Sequence, residues 1–353
     1  MKALVLAGGK GTRLRPFTYS MAKQLVPVAN TPVLTHCLEN IRSIGVREVA
    51  VVVGGGEVEI QSVIGDGADL GLEITYLVQD SPLGLAHCVR IAADFLGDDD
   101  FVMYLGDNVV ADGIGEAAER FRAQRPDAQV LVAKVDDPRQ YGVVEVDHDG
   151  RVHLLAEKPL HPRSDLAIVG VYFFTAAVHE AVADLRPSHR GELEITDALQ
   201  WLVNRGRVVT ASDYPGYWRD IGSADGLLDC NRVLLQRVTA AVRGRVDSTS
   251  TVRGEVVVEE GAVVTGSELV GPLVIGAGAV VNGSHLGPFT SVGPGCLIED
   301  STISDSILLD GAQVFGAREL RRSLIGRWAK VGTGGGGAGR MLIGDHSLAQ
   351  VIA

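Results

Sequence analysis

A glycine-rich run near the start of the chain combines a flexible backbone with positive charge and a hydroxyl group. It follows the short apolar stretch Lys2–Val5, and its sequence is Leu6-Ala7-Gly8-Gly9-Lys10-Gly11-Thr12-Arg13-Leu14. Glycines let the backbone turn sharply and present bare N–H groups to an anion. Lys10 and Arg13 add the positive charge that a polyphosphate requires. The run therefore predicts a site for a nucleotide or a sugar phosphate.

Two common phosphate-binding loops do not fit this run. The G-x-x-x-x-G-K-[ST] pattern is absent, since Gly8 is not followed by Gly-Lys-Ser/Thr at the required distance. The dinucleotide pattern G-x-G-x-x-G also fails, because Leu14 stands where its third glycine belongs. An ordinary strand-to-helix turn needs one glycine and no pair of cations, so the anion-binding interpretation is favoured.

Two carboxylates have sequence surroundings that suit a divalent metal ion. Asp107 follows the apolar run Phe101–Leu105, and Asp220 lies in the cluster Tyr217-Trp218-Arg219-Asp220-Ile221-Gly222. Carboxylate oxygens together with phosphate oxygens match the octahedral geometry that Mg²⁺ demands, so both residues are candidate ligands. Two alternatives stay open: Asp107 as the cap of a turn, and Asp220 as the cap of a helix that starts near Ser223.

Further polar side chains stand at the ends of predicted strands and helices. Lys158 follows Glu157, and this pair suits a phosphate and the hydroxyl groups next to it. Gln79 carries a planar amide that can recognise the edge of a base. The acidic run Gly191–Asp197 is either part of a binding site or a set of charges that complements a helix dipole.

Composition limits the classes of protein and partner. The chain has 353 residues, of which 46% are hydrophobic, and a formal net charge of −12. Such a chain buries a sizeable core, and its acidity argues against nucleic acid as a partner. The four cysteines form no C-x-x-C pair, so reduced thiols rather than a metal knot are expected. No apolar run approaches the ~20 residues of a membrane span, and we expect a cytoplasmic protein without membrane contact.

Up to residue 240, β-rich apolar runs alternate with helical segments. Alternation of this kind favours an α/β fold with a doubly wound, mostly parallel sheet, whose ligands bind at the carboxyl ends of the strands. The predicted strands are Lys2–Leu6, Glu48–Val53, Glu73–Val78, Phe101–Leu105 and Gln129–Val135. The predicted helices are Thr31–Ser43, Leu83–Phe95, Gly113–Gln124, Thr196–Asn204 and Ala224–Gln236.

The rest of the chain, residues 241–353, has a much shorter period. Large apolar residues recur at spacings of six, five and six, at Val258, Val264, Leu269, Ile275, Val281, Leu286, Val292, Ile298, Ile303, Leu309, Phe315 and Leu320. With glycines between these positions, the pattern predicts a three-sided parallel β-helix, with Ile325, Val331 and Ile343 in a further irregular coil and a glycine-rich loop over Gly332–Gly339. A β-helix serves either as an oligomerisation stalk or in acyl transfer, for which His285 and His346 are the candidate residues.

Several ordered motifs in the first 240 residues resemble those of the sugar-1-phosphate nucleotidyltransferases. These motifs are Leu6–Leu14 with Pro16, Lys23–Val28, Gln79 with Gly84-Leu85-Ala86, Leu105–Asn108, Tyr141-Gly142-Val143, Glu157–Pro159, Gly170–Phe173, Gly191–Asp197 and Trp218–Gly222. The resemblance is to the long members of the family. It implies a Rossmann-like nucleotidyltransferase domain over residues 1–240 and a left-handed parallel β-helix over residues 241–353. It also implies Mg²⁺-assisted transfer of a thymidylyl group from dTTP to α-D-glucose 1-phosphate, with release of pyrophosphate.

The same resemblance implies a role for individual residues. Arg13 and Lys23 bind the phosphates of the nucleotide, Lys158 binds the phosphate of the sugar, and Asp107 and Asp220 hold the Mg²⁺. The residues that contact the nucleotide are Gly8, Gly9, Gly11, Thr12, Gln24, Gln79 and Gly84. The residues near the sugar are Gly142, Glu157, Ile168, Tyr172 and Glu194, and the implied substrate-binding set also includes Asn108 and Trp218.

Departures from the family pattern concern base and sugar preference. Leu83 and His87 replace the more common Asp and Gln. Ile168 and Val169 are bulkier and more apolar than the residues that short members usually have beside the sugar. The alternatives are a member that uses UTP, a bifunctional member whose β-helix transfers acetyl groups, and a homologue that binds without turnover. Because a β-helix exposes faces and coil ends that copies of the chain can cover, a homo-oligomer is expected, with a tetramer as the specific guess.

Overall fold

The computed structural model describes residues 1–55, 57–333 and 339–351 and divides the chain into two compact units. The first unit contains Met1–Gly9 and Val33–Arg219, and the second contains Lys10–Pro32 and Asp220–Ala353. The core of the predicted glycine-rich loop, residues 334–338, lies outside the described residues. The proposed functional boundary at residue 240 remains a prediction, because the units describe compactness and not activity.

Helices and strands follow the order that the sequence suggests. The α-helices are α1 (Val33–Ser43), α2 (Glu57–Ile64), α3 (Leu85–Ile91), α4 (Ala93–Leu96), α5 (Gly115–Gln124), α6 (Ala177–Asp184), α7 (Ile195–Asn204) and α8 (Ala224–Leu235). The first strands are β1 (Lys2–Leu6), β2 (Pro27–Val28), β3 (Thr31–Pro32), β4 (Glu48–Val53), β5 (Glu73–Val78), β6 (Phe101–Leu105), β7 (Asn108–Val110), β8 (Ala128–Lys134), β9 (Gly142–Val146), β10 (Val152–Glu157), β11 (Leu166–Phe174), β12 (Val209–Asp213) and β13 (Trp218–Asp220).

The first unit is built on a mixed sheet with the strand order β10-β9-β11-β6-β1-β4-β5, in which β8 pairs with β11 and β12 pairs with β8. β1 runs parallel to both β4 and β6, with Leu4 opposite Ala50 and Met103. β1 is buried from Ala3 to Leu6, as expected for a parallel strand covered on both faces. β11 runs antiparallel to β6 and β8. The Rossmann-like fold class is therefore confirmed, with a sheet that is mixed in direction.

The predicted helices needed correction at their boundaries, and strand pairing or a glycine explains the later starts of two of them. Thr31 and Pro32 pair with β2 as a short strand, so α1 begins at Val33 and not at Thr31. The predicted helix Leu83–Phe95 begins only after Gly84, whose φ of 101° is not helical, and it is divided into α3 and α4 at Ala92. The predicted strand Gln129–Val135 is one residue out of place, since β8 covers Ala128–Lys134.

The second unit contains three sheets of parallel strands that stack one coil upon the next. Their strands are β14 (Ala241–Val242), β15 (Arg245–Val246), β16 (Thr251–Arg253), β17 (Val256–Val258), β18 (Val263–Thr265), β19 (Glu268–Val270), β20 (Leu273–Ile275), β21 (Val280–Asn282), β22 (His285–Leu286), β23 (Thr290–Val292), β24 (Leu297–Glu299), β25 (Thr302–Ser304), β26 (Ile307–Leu308), β27 (Gln313–Phe315), β28 (Leu320–Arg321), β29 (Leu324–Ile325), β30 (Lys330–Thr333), β31 (Leu342–Ile343) and β32 (Leu348–Val351). The sheets are β14-β17-β20-β23-β26-β29-β31, β15-β18-β21-β24-β27-β30-β32 and β16-β19-β22-β25-β28. This repeating pattern is consistent with the predicted left-handed β-helix.

Two of the predicted inward-facing positions of the β-helix are wrong by one residue. Leu308, and not Leu309, pairs with Val292 in the preceding coil. Val314, and not Phe315, then becomes the fully buried residue on the next face. The turn after Ile303 contains one residue fewer than the corresponding turns of the earlier coils, which moves the register back by one. The apolar period missed this shift because Leu309 and Phe315 are themselves large and apolar.

A column of buried serines runs along one corner of the β-helix. The Ser284 N–H donates to Ser267 Oγ at 3.0 Å, and the Ser301 N–H donates to Ser284 Oγ at 3.1 Å. Each hydroxyl also donates to a carbonyl within its own coil, as Ser284 does to Asn282 O at 2.8 Å. Because these hydroxyls satisfy backbone N–H groups in a buried turn, they remove a desolvation cost that an apolar corner would leave.

Two general expectations concern membranes and cysteines. None of the helices in the described residues is long and apolar enough to cross a membrane. The four cysteines are all buried and carry free thiols, as the absence of a C-x-x-C pair predicted.

Candidate functional site

In the second unit, one carboxylate lies between two cations that come from the glycine-rich run and its continuation. Lys23 Nζ lies 3.2 Å from Asp220 Oδ1, and Arg13 Nη2 lies 3.7 Å from Asp220 Oδ2. The Lys23 side chain is only 7% exposed, whereas that of Arg13 is 66% exposed. The buried lysine is therefore a fixed charge, and the exposed guanidinium has room to reach an incoming anion.

Backbone geometry brings this cation pair together. Gly11 has a φ of 58°, and a Cβ there would come within 2.9 Å of Lys23 Cβ and of Thr18 Cγ2. Thr18 Oγ1 also donates to Gly11 O at 2.7 Å, which fixes the turn from which Thr12 and Arg13 leave. A Cβ on Gly222 would lie 3.0 Å from Arg13 Nη2. Glycine is therefore needed at Gly11, both for close approach and for the left-handed backbone, whereas a side chain at position 222 would meet only the flexible end of Arg13.

Two further observations concern residues next to Lys23 and Asp220. Gln24 is 1% exposed, and its Oε1 has no hydrogen-bond partner among the described residues. Ser223 caps α8 by accepting a hydrogen bond from the Gly226 N–H at 3.1 Å. The alternative role of Asp220 as the cap of this helix is thus filled by Ser223.

In the first unit, Gln79 lies beside the opening glycine turn at the carboxyl end of β5. Its Nε2 donates to Gly84 O at 3.3 Å and lies 3.1 Å from His87 Nδ1. A Cβ on Gly8 would lie 3.7 Å from Gln79 Oε1, so the amide oxygen is on the side of Gly8. Gln79 also lines an open cavity of about 630 Å³. The amide is therefore oriented by its neighbours before any base arrives.

Gly84 has a packing role in addition to its carbonyl bond with Gln79. A Cβ at this position would overlap the backbone of Leu193, and the N–H of Ala86 donates to Leu193 O at 3.0 Å. The predicted contact of Gly84 with the base remains a prediction, because the close approach to Leu193 explains the glycine without it. This contact also joins the start of α3 to the residue that precedes Glu194.

Asp107 and Asn108 lie at the carboxyl end of β6, as the sequence predicted. Asn108 Nδ2 donates to Asp107 Oδ1 at 2.9 Å, and Trp218 Nε1 donates to Asn108 Oδ1 at 2.6 Å. The Tyr141 ring meets the Trp218 indole at 5.3 Å between centroids with an interplanar angle of 61°. A Cβ on Gly170 would lie 3.1 Å from Asn108 Nδ2. Four of the motifs therefore meet around one asparagine.

The predicted sugar-binding residues also come together within the first unit. A Cβ on Gly142 would come within 2.8 Å of Thr196 Cγ2, 3.1 Å of Ile168 Cδ1 and 3.3 Å of Glu157 Oε2. Thr196 Oγ1 donates to Glu157 Oε2 at 3.3 Å. A side chain at position 142 would therefore crowd Thr196, Ile168 and Glu157, and glycine avoids this.

Arg190 joins the two predicted glutamates and was missed by sequence reasoning. Its Nη1 lies 3.4 Å from Glu157 Oε1 and 3.4 Å from Glu194 Oε1. Burial raises the pKa of Glu157, while Lys158 and Arg190 act in the opposite direction and Glu194 adds to the rise. The position of Arg190 immediately before the acidic run Gly191–Asp197 is the only sequence signal that points to it, since its partner Glu157 lies in another strand.

Tyr172 and Lys158 complete the set in the first unit. Tyr172 is 4% exposed, and burial followed by the negative charge of Glu157 raises its pKa, so its hydroxyl stays protonated. Lys158 Nζ lies 3.8 Å from Glu157 Oε1, and its side chain is 44% exposed. Lys158 has a φ of 42°, and its N–H donates to Tyr141 O at 3.0 Å. Lys158 therefore lies in a turn directly after β10.

The candidate residues fall in both units. Gly8, Gly9, Gln79, Gly84, Asp107, Asn108, Gly142, Glu157, Lys158, Ile168, Tyr172, Glu194 and Trp218 belong to the first unit, and Gly11, Thr12, Arg13, Lys23, Gln24 and Asp220 belong to the second. Asp107 and Asp220 both offer the hard oxygen atoms that a divalent cation prefers, which fits a metal site chemically. Their joint binding of one ion remains a prediction, since Asp107 belongs to the first unit and Asp220 to the second.

The histidine candidate on the β-helix belongs to a column of charges. His285 Nδ1 lies 3.0 Å from Glu268 Oε2, and Arg253 Nη1 lies 3.2 Å from Glu268 Oε1. All three side chains are substantially exposed. Such a column is typical of the outer face of stacked parallel strands, and a role for His285 in acyl transfer remains only an alternative.

Comparison with known proteins extends these observations. Residues 2–237 match the nucleotidyl transferase family. The chain is 52% identical over 353 residues to the glucose-1-phosphate thymidylyltransferase of Streptomyces griseus, with 99% of each chain covered. It is 50% identical over 354 residues to that of Streptomyces antibioticus, again with 99% of each covered. A crystal structure of a candidate glucose-1-phosphate thymidylyltransferase from Bacillus anthracis, in complex with a sucrose, is 35% identical to this chain with a TM-score of 0.63. The match covers 68% of this chain and 97% of that one.

Proposed function

The chain belongs to the nucleotidyl transferase family, and we propose that it transfers a thymidylyl group from dTTP to α-D-glucose 1-phosphate, giving dTDP-glucose and pyrophosphate. The observation that carries this proposal is the identity of 50–52% over nearly the whole length to two glucose-1-phosphate thymidylyltransferases. The arrangement of Arg13, Lys23 and Asp220 supports it, because a reaction between two phosphate groups needs cations and no nucleophilic side chain.

The chemistry requires alignment of two anions that repel each other. An oxygen of the sugar phosphate attacks the α-phosphorus of dTTP, the bond from that phosphorus to the bridging oxygen of the β-phosphate breaks, and pyrophosphate leaves. The attacking oxygen already carries negative charge, so no general base is needed. Catalysis is then mainly positioning of the reactants and stabilisation of charge on the leaving group.

Particular side chains suit each part of this task. The exposed guanidinium of Arg13 binds the departing pyrophosphate, and the buried ammonium of Lys23 supplies a fixed charge near it. Lys158 binds the phosphate of the sugar, while Glu157 and Glu194 accept hydrogen bonds from sugar hydroxyls. Asp107 and Asp220 would hold a Mg²⁺ ion, which supplies charge neutralisation at the phosphates. Gln79 binds the pyrimidine edge.

Release of pyrophosphate tests the reaction directly. Purified protein is given Mg²⁺ and glucose 1-phosphate with dTTP, UTP, ATP, CTP or GTP in separate assays. We expect the largest kcat/KM with dTTP. A UTP rate equal to or above the dTTP rate would move the chain to a broader pyrimidine class, and no release with any nucleotide would refute the proposed transfer.

The first mutational prediction concerns the two carboxylates that are proposed to hold the metal ion. Asp107→Asn and Asp220→Asn should each lower kcat by about 10²-fold or more, because a neutral amide is a poor ligand for Mg²⁺ and charge stabilisation dominates this kind of catalysis. Asp69→Asn, at an exposed position of a short 3₁₀ helix, is the matched control. Circular dichroism verifies folding, and a near-normal rate in either variant would exclude that residue from the metal site.

We also propose that the protein is a cytoplasmic homo-oligomer, with a tetramer as the specific expectation. Exposed apolar side chains on the β-helix, including Val252, Val280 and Leu348, support association of copies. Light scattering coupled to size-exclusion chromatography gives the mass, and a monomer at micromolar concentration would contradict the proposal.

A further inference from the structure

The cation-bearing segment Lys10–Pro32, called here the phosphate segment, belongs by its contacts to the same compact unit as the β-helix. It contains Arg13 and Lys23, which contact Asp220. The β-helix is thus more than a stalk placed after the catalytic part. The coils, together with α8, carry residues that hold this segment on both sides of Lys23.

The last described coil fixes the first end. Asp345 has a side chain that is only 2% exposed. Its carboxylate accepts hydrogen bonds from the Arg327 N–H at 2.7 Å, from Arg327 Nε at 2.7 Å and from Ser20 Oγ at 2.8 Å. Arg327 Nη2 donates to Ser20 O. Ser20 is therefore bound through both its hydroxyl and its carbonyl group, three residues before Lys23.

Close packing also holds the part of the phosphate segment that precedes Lys23. A Cβ on Gly344, next to Asp345, would lie 3.0 Å from Pro16 Cβ and 3.2 Å from Pro16 Cγ. The backbone of the last coil therefore lies directly against the phosphate segment between Arg13 and Ser20. A buried carboxylate that accepts several hydrogen bonds holds its donors firmly, because losing one partner leaves the charge uncompensated.

A buried asparagine of α8 and a middle coil fix the second end. Asn231 is 1% exposed, and its Oδ1 accepts from the Ala29 N–H at 2.8 Å. Its Nδ2 donates to Phe289 O in the β-helix at 3.1 Å. Asn30 Nδ2 donates directly to Val292 O at 2.7 Å. The segment is therefore tied to two coils, with Lys23 between the two attachments.

Asp220 is also connected to the β-helix, in this case through α8. It lies a few residues before α8, and Arg232 of that helix pairs with Asp305 of the β-helix at 2.7 Å. Arg322 of a later coil pairs with Asp225 near the start of α8 at 3.1 Å. Both partners of the Lys23–Asp220 ion pair are therefore attached to the β-helix, one through the phosphate segment and the other through α8.

We propose that Asp345, acting with Arg327, is a positioning residue for the triphosphate of dTTP: from the last coil it holds the segment that carries Arg13 and Lys23. This inference rests on the proposed function for its kinetic consequence, although the attachment itself does not. It predicts a selective effect. Loosening the segment should impair the dTTP side of the reaction and leave binding of glucose 1-phosphate unchanged, since Lys158, Glu157 and Glu194 lie in the other unit.

The experiment compares Asp345→Asn and Ser20→Ala with Glu268→Gln. Glu268 also belongs to an ion-paired cluster of the β-helix, but it contacts no residue of the phosphate segment among the interactions described, so it is the matched control. We expect Asp345→Asn to lower kcat/KM for dTTP by about 10- to 100-fold, with the KM for glucose 1-phosphate within about twofold of the unmodified protein. Ser20→Ala should change in the same direction but less, because Arg327 still binds its carbonyl group.

Hydrogen–deuterium exchange on the full-length protein without substrate is the second measurement. Amides within residues 16–26 should exchange faster in Asp345→Asn and not in Glu268→Gln. Equal kinetics of Asp345→Asn and Glu268→Gln, or an equal loss for both substrates, would overturn the proposal. If Asp345→Asn does not fold, Ser20→Ala decides. Exchange rates and kinetic constants equal to those of the unmodified protein would then overturn the proposal. If the unmodified protein does not use dTTP, the proposed function fails, and exchange alone decides whether Asp345 holds the segment.

Discussion

At the scale of single residues, the orientation of the Gln79 amide has the clearest consequence for specificity. Its Nε2 is directed to Gly84 O and His87 Nδ1, which leaves Oε1 on the side of Gly8. An amide oxygen accepts a hydrogen bond from the N3–H of thymine or uracil, whereas N3 of cytosine has no proton to donate. Sequence reasoning noted His87 only as a departure from the family pattern. We therefore predict that His87, by orienting Gln79, influences which class of base is accepted.

Substitution of His87 tests this role. His87→Leu removes the acceptor for Gln79 Nε2 and should lower the ratio of kcat/KM for dTTP over dCTP by about fivefold, since one neutral hydrogen bond contributes about 1 kcal/mol. His87→Asn is the control, because its Oδ1 can take the place of the imidazole Nδ1. Competition assays with both nucleotides give the ratio, and equal ratios in the two variants would contradict the assignment.

The charge state of His87 adds a dependence on pH. Burial, followed by the positive charge of Arg90, lowers the pKa of His87, so the neutral ring that accepts from Gln79 is kept at neutral pH. Protonation on Nδ1 would remove the acceptor. We expect the selectivity for dTTP over dCTP to be constant above pH of about 6.5, the ordinary value for histidine, and to fall only in more acid solution. A fall between pH 7 and 8 in steady-state assays would be inconsistent with this cause.

Sequence reasoning predicted most of these residues but not their partners. Arg13, Lys23 and Asp220 could be identified because their types and motifs suit phosphate chemistry, and the structure brings them together. Arg190 could not, since its bond to Glu157 spans 33 positions and no local pattern specifies such a contact. The role of Asn108 as a meeting point for Trp218 and Asp107 was missed for the same reason.

At the scale of elements, the β-helix was the most predictable part of the chain. A repeating apolar period directly reflects side chains that alternate between the inside and the outside of each coil. The length of each turn is less predictable. A turn can lose one residue without changing the apolar pattern where two neighbouring residues are both apolar, and this is why Leu308 takes the position predicted for Leu309. Two predicted helix starts were also wrong, because Gly84 in one case and the strand pairing of Thr31 in the other prevented the first helical turn.

Two glycines of the β-helix turns allow a matched test of packing. Gly311 and Gly278 both have a φ of 66°, but a Cβ on Gly311 would overlap the indole ring of Trp328, whereas one on Gly278 would meet nothing within 4 Å. Both substitutions to alanine incur backbone strain. Gly311→Ala should cost about 1 kcal/mol more in the free energy of unfolding, because the ring must move away. Urea denaturation measures both, and equal losses would show that the contact with Trp328 contributes nothing.

At the scale of the whole molecule, the division into compact units differs from the order of the sequence. The glycine-rich run is cut between Gly9 and Lys10, and the phosphate segment that begins at Lys10 contacts a residue more than 300 positions away through Ser20. A sequence pattern cannot predict this, because hydrogen bonds such as that between Ser20 and Asp345 leave no periodic signal. The chain carries 32 Lys and Arg residues against 44 Asp and Glu residues, so Arg13 and Lys23 are cations in a protein that is acidic as a whole.

Ligand binding should therefore stabilise the molecule only when the charge is balanced by a divalent ion. At 100 times its dissociation constant, dTTP adds about 2.7 kcal/mol to the stability of the folded state, which corresponds to a rise in Tm of about 3–5 °C for a protein of this size. We expect this rise with Mg²⁺ and its loss with EDTA. Scanning calorimetry measures both, with Mg²⁺ alone as the control, and an equal rise in EDTA would argue against a metal requirement.

The column of stacked serines restricts how the chain length can change during evolution. Each hydroxyl accepts from an amide one coil later, with an interval of 17 residues in the regular coils and 16 where a turn is shorter. An insertion or deletion of one residue within a strand would move a hydroxyl out of reach of its amide and turn every following apolar residue outward. Gain or loss of a whole coil would preserve every bond in the column except those at its two ends. Length differences among natural variants of this tail should therefore occur mainly as complete coils or as single residues in the turns, and rarely within the strands.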